Sequence, residues 1–65
     1  MVDVIGKKLR ELRLANHMTL KQVAKKAGCT EAYISQLENG NANPSIATLK
    51  KIASVFNVQI IDFFI

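Results

Sequence analysis

The chain lacks most of what specialised chemistry requires. It has one cysteine, Cys29, so no intrachain disulfide can close, and one histidine, His17, so a structural zinc site cannot be assembled. No metal and no cofactor are expected. Aromatic residues are few: Tyr33, Phe56, Phe63 and Phe64. No apolar run approaches the ~18 residues of a membrane span. The opening residues 1–6 carry Asp3 early and no long apolar stretch, which is not the pattern of a signal peptide. A reduced, cytoplasmic location is the default expectation. The five carboxylates show no paired spacing for acid–base work, and no serine or cysteine has an evident base, so an enzyme is not expected. Sixty-five residues make one small domain. There is no room for a nucleotide-binding fold, a barrel or a two-domain active site.

What is present is a globular balance, 49% apolar and 22% charged residues, rather than a disordered composition. The net charge is +4. Residues 1–26 hold seven basic side chains against two acidic ones, and residues 27–65 hold two against three. The positive charge therefore concentrates in the first part of the chain. A basic face suits a polyanionic partner, nucleic acid or membrane surface; taken alone it is equally a solvated surface.

Hydrophobic spacing and stop signals predict five short helices and no strand. Ile5, Leu9 and Leu12 recur on one helical face, giving a first helix over residues 2–15 that Asn16 and His17 end. Thr19 opens a second helix as a capping box with Gln22, and Gly28 stops it after Ala27. Thr30 caps a third helix to Glu38, and Asn39 and Gly40 tolerate the positive φ that ends it. After the loop of Asn41, Ala42 and Asn43, Pro44 and Ser45 introduce a fourth helix over residues 46–56. Its inner stripe is read as Ile46, Leu49, Ile52, Ala53 and Phe56. Asn57 ends it, and Gln59 begins a last short helix.

The informative stretch lies between Leu20 and Glu38. Two short helices joined by a glycine-bearing turn describe a helix-turn-helix. The closest point of the steep crossing needs a small residue, and Ala24 stands there. Gly28 supplies positive φ four residues later, Cys29 follows as the apolar residue beneath the turn, and Val23, Ile34 and Leu37 complete the seam. Each match is weak; in register they are strong.

These residues carry a resemblance. Ile5-Gly6, Leu12-Arg13, Val23-Ala24, Ala27-Gly28, the run from Ile34 to Gly40, Asn43-Pro44-Ser45 and Leu49 through Val58 resemble the phage repressor and Cro-type helix-turn-helix family, also called the XRE family. The resemblance runs from Ile5 to Phe63. It implies one compact, all-α, five-helix repressor-like domain over residues 1–65. Its third helix would enter the major groove of double-stranded DNA, and its function would be transcription regulation, with repression favoured, as a two-fold homodimer on a palindromic operator. No small-molecule effector site is evident. The alternative is a protein-interaction module, antitoxin-like or adaptor, with secondary DNA binding.

The resemblance also distributes roles. Glu31, Ala32 and Gln36 match base-reading positions. The planar amide of Gln36 suits adenine, Glu31 can accept from a cytosine amino group, and Ala32 can touch a thymine methyl. Glu31 reads equally as a carboxylate favoured by the first-turn dipole. Backbone contacts are expected from Thr19, Lys21, Thr30, Tyr33, Asn39, Asn41 and Asn43; Tyr33 reads equally as a half-buried ring. Many members carry glutamine where this chain has Leu20, which cannot bond phosphate. Arg13 and Glu38 match a family ion pair joining the first and third helices. Ile60, Ile61, Phe63, Phe64 and Ile65 are too many apolar residues for one short terminal helix to bury. They form a subunit interface, with Ile61 and Phe64 the candidate contacts, or a further segment covers them.

Overall fold

The computed structural model describes residues 2–65 of the chain. These form α1 (Val2–Ala15), α2 (Leu20–Ala27), α3 (Glu31–Glu38), α4 (Ile46–Val55) and a terminal 3-10 turn (Ile60–Phe63). The all-α class holds. The fifth helix is a single 3-10 turn rather than an α-helix, because it spans only four residues and Asp62 accepts from the Gln59 N–H at 2.9 Å, closing a tight loop.

The starts of α2, α3 and α4 share one device. Thr19, Thr30 and Ser45 sit in extended backbone and each accepts from the amide three residues on, Gln22, Tyr33 and Thr48, at 3.1 Å. Thr19 completes its capping box, its own N–H donating to Gln22 Oε1 at 2.8 Å. The four α-helix ends also share one device. His17, Gly28, Gly40 and Asn57 take left-handed φ of 55°, 71°, 75° and 57°. In each case the next residue's N–H reaches back five residues: Met18 to Arg13, Cys29 to Ala24, Asn41 to Gln36 and Val58 to Ala53. Asn39, read as a partner of Gly40 in positive φ, takes φ −89°.

Leu9, Val23, Ile34, Leu37, Leu49, Ile52 and Phe63 are almost fully buried and make one core with Ala24, Ala27, Ala53 and Phe56. Ile46 does not join them. It stands 60% exposed, because it opens the first turn of α4 beyond the reach of the core, and the inner stripe begins at Leu49. Phe56 caps α4 rather than ending it, yet remains buried.

Packing orders the helices around α2 and α3: α1 lies against α3, and α2 lies against both α3 and α4. The contact of α1 with α3 depends on Gly6. A Cβ there would run into the Leu37 carbonyl oxygen and come within 2.9 Å of the Glu38 oxygen. Only glycine lets the α1 backbone approach the carbonyl end of α3 this closely.

Candidate nucleic-acid interface

Burial sorts the faces of α3. Ile34 and Leu37 are buried on one side, while Glu31, Ala32 and Gln36 are exposed on the other. The three residues read as base-facing thus share an outward surface, Ala32 and Gln36 four residues apart on one stripe. Tyr33 lies between the faces, half-buried against the core. A helix of eight residues is about 12 Å long, comparable with the ~12 Å width of the major groove.

The flanking polar groups are placed at the ends of this helix and its neighbour. Thr19 and Lys21 are exposed at the start of α2, and Thr30 at the start of α3. Each threonine oxygen accepts from a backbone amide, which leaves the hydroxyl hydrogen free to donate outward. In α2 the capping box engages the Thr19 and Gln22 amides, leaving those of Leu20 and Lys21 for an anion at the positive helix end. Leu20 itself packs against the core, so this position contributes packing rather than an amide side chain. Beyond α3, Asn39, Asn41 and Asn43 are all exposed, while the intervening Ala42 packs inward.

The orientation of α3 is held by a charged clamp. Arg13 Nε donates to Glu38 Oε2 at 2.6 Å and Nη2 to Oε1 at 3.1 Å, a bidentate pair. Arg13 Nη1 also donates to the Met18 carbonyl at 3.1 Å. One guanidinium therefore joins the end of α1, the loop into α2 and the end of α3. The side chains are 14% and 6% exposed, so the pair is shielded from water. Glu38 lies at the negative end of the α3 dipole, an unfavourable site for a carboxylate, and the arginine offsets this. The bond to Glu38 holds the Arg13 pKa above its ordinary value.

Two arrangements were not visible in the sequence. Gly6 stands in a stretch that matches the family, but its role in setting the depth at which α1 seats on α3 gave no signal, because a glycine inside a helix marks neither turn nor stop. Lys50 and Lys51, numerically outweighed by acids in their half of the chain, meet Lys25 and Lys26 along one groove. The charge that the sequence concentrates in residues 1–26 is joined there by these two lysines, because α4 packs beside α2.

The comparisons with known proteins accord with this geometry. A family profile described as Helix-turn-helix matches residues 9–63. An uncharacterized HTH-type transcriptional regulator of Archaeoglobus fulgidus is 45% identical over 58 residues, 89% of this chain and 83% of the relative. The HTH-type transcriptional regulator SinR of Bacillus subtilis is 34% identical over 58 residues, 88% of this chain and 52% of its own length. The chain thus spans most of the archaeal relative and about half of SinR. Among solved structures, the restriction-modification controller protein C.AhdI of Aeromonas hydrophila superimposes with a TM-score of 0.93 at 27% identity, covering 97% of this chain and 96% of that one. SinR in complex with DNA superimposes with a TM-score of 0.88 at 31% identity, covering 94% and 98%. With its capped helix pair, its glycine turn and a matching profile over most of its length, the chain belongs to the helix-turn-helix family.

Proposed function

We propose that the chain is a sequence-specific DNA-binding regulator of transcription, with repression the favoured outcome. In this reading α3 lies in the major groove, and Glu31, Ala32 and Gln36 face base edges. Thr19, Lys21, Thr30, Tyr33, Asn39, Asn41 and Asn43 hold the phosphate backbone. The observation that carries the reading is the outward stripe of α3, flanked at both ends by exposed hydroxyl, amide and ammonium groups and held at a set angle by the Arg13–Glu38 clamp. Relatives named as transcriptional regulators, and a DNA complex of SinR, support it.

Size supports a two-fold dimer in this reading. The longest extent of the molecule is 24 Å, whereas half-sites lie about 34 Å apart. One copy covers one half-site, and a palindromic operator takes two. Ile61 and Phe64, 57% and 39% exposed, are the proposed contacts. The protein-interaction alternative draws on the same apolar end and leaves the outward polar stripe of α3 without a role.

Specificity and affinity separate in one experiment. Gln36→Ala and Lys21→Ala are titrated against cognate and scrambled duplexes at several salt concentrations. Gln36→Ala is expected to lose about 1–3 kcal/mol on the cognate site and little on scrambled DNA. Lys21→Ala weakens both alike and lowers the salt slope by about one unit. Equal losses for Gln36→Ala on both duplexes remove α3 from the groove.

A further inference from the structure

The end of α2 and the outer face of α4 form a shallow groove of about 540 Å³, lined by Lys25, Lys26, Lys50, Lys51, Ser54 and the bare backbone at Gly28. No carboxylate lines it. Among the described residues the one ion pair is Arg13–Glu38, so none of the four lysines is neutralised. The sequence does nothing to compensate them either. At three and four residues before and after each lysine there is no aspartate or glutamate, so the helical pairings that normally balance a solvated lysine are missing. The dipole of α2 accounts for Lys25 and Lys26, which stand in its last turn. It does not account for Lys50 and Lys51, which stand mid-helix in α4. Four like charges drawn together without counter-charges repel one another, and an anionic occupant removes that cost.

The lining also says which anion. It offers no aromatic side chain and no arginine, and its one apolar side chain is Ala27. A protein partner would find none of the anchors that carry protein–protein affinity. Lysines act as point charges on phosphates without geometric selectivity. No residue of α3 lines the groove, and α2 packs against both α3 and α4.

We propose that this groove binds the phosphodiester backbone of a second DNA segment while α3 holds the first, so that one molecule bridges two duplexes. The proposal rests on the α3 reading only in that the first duplex is held there. Binding at the groove is independent of sequence. With about four phosphates neutralised, a doubling of salt weakens it about tenfold.

The test mixes the chain with two short duplexes, one carrying a donor dye and one an acceptor. Energy transfer reports bridging, and anisotropy of a single labelled duplex reports binding to the first. Wild type is expected to show transfer. Lys50→Glu with Lys51→Glu, both exposed and hence harmless to the fold, lowers bridging at least tenfold and leaves first-duplex affinity within about two-fold. Lys7→Glu with Lys8→Glu makes the same change of net charge on α1 and keeps bridging. No transfer with wild type overturns the proposal, as does undiminished transfer in the α4 variant or equal loss in the α1 variant. A matched fall in first-duplex affinity for the α4 variant overturns it too, by placing the groove on the duplex that α3 reads. Failure of the α3 reading shows separately, as a Gln36→Ala variant whose affinity changes equally on cognate and scrambled duplexes.

Discussion

Two kinds of residue hold the reading helix, and they fail differently. Removing Glu38 leaves a guanidinium that can still reach water and the Met18 carbonyl. Removing Arg13 strands a carboxylate that is only 6% exposed and frees that carbonyl as well. Glu38→Ala is therefore expected to cost about 1–3 kcal/mol and Arg13→Ala more. A double-mutant cycle by denaturation should return a coupling of about 0.5–3 kcal/mol. Because the Arg13 pKa is raised on folding, its share of stability is complete below the ordinary arginine pKa. That share is lost only as pH climbs through the still higher folded value, so between neutral and mildly alkaline pH it is constant. The glycines differ in the same instructive way. Gly6→Ala meets backbone carbonyls of α3 and is expected to cost about 1–3 kcal/mol or more by overpacking. Gly28→Ala meets open space and suffers only its φ of 71°, about 1–2 kcal/mol. Asparagine, which tolerates left-handed backbone, recovers part of the loss at Gly28 and worsens it at Gly6. Thermal midpoints of the four variants check this.

At the scale of elements, hydroxyl caps explain how three short helices persist. Helices of 8–10 residues such as α2, α3 and α4 are marginal in isolation, and each hydroxyl cap contributes about 1 kcal/mol. The ends are unequal. Gly28 and Gly40 take left-handed φ freely, whereas His17 and Asn57 take it with a Cβ. His17 is exposed and makes no side-chain hydrogen bond among those of the described residues. His17→Gly is thus expected to leave stability unchanged or raise it by up to about 1 kcal/mol, strain relief outweighing the entropy of the unfolded chain. A fall of the denaturation midpoint would show that the imidazole does more than end α1. These elements were largely legible in the sequence, since Thr19, Thr30, Ser45, Gly28 and Gly40 signal locally. The exceptions are local as well: Ile46 fits the apolar period of α4, yet periodicity does not say where the core stops.

At the scale of the molecule, the apolar end matters most. Phe63 is fully buried, whereas Ile61, Phe64 and Ile65 remain exposed, and Ile65 shares a hollow with Val4 of α1. This patch is the proposed surface between two copies. Phe64→Ser is expected to weaken self-association by about 1–3 kcal/mol, the transfer value of one half-exposed aromatic ring, while leaving the core intact. Sedimentation with and without operator DNA measures it, and unchanged association places the interface elsewhere.

The sequence by itself determined the boundaries of α1, α2 and α3, the helix-turn-helix seam and the outward stripe of α3, because caps, stops and helical period act over a few residues. Membership of the family was legible for the same reason: Val23, Ala24, Gly28, Ile34 and Leu37 keep their register within one continuous stretch. Only the tertiary structure decided that Gly6 seats α1 on the carbonyl end of α3, and that one guanidinium gathers Glu38 and Met18. The meeting of Lys50 and Lys51 with Lys25 and Lys26 was decided there too. Each of these joins residues far apart in the chain, and such meetings are set by how helices cross over a shared core rather than by any local preference.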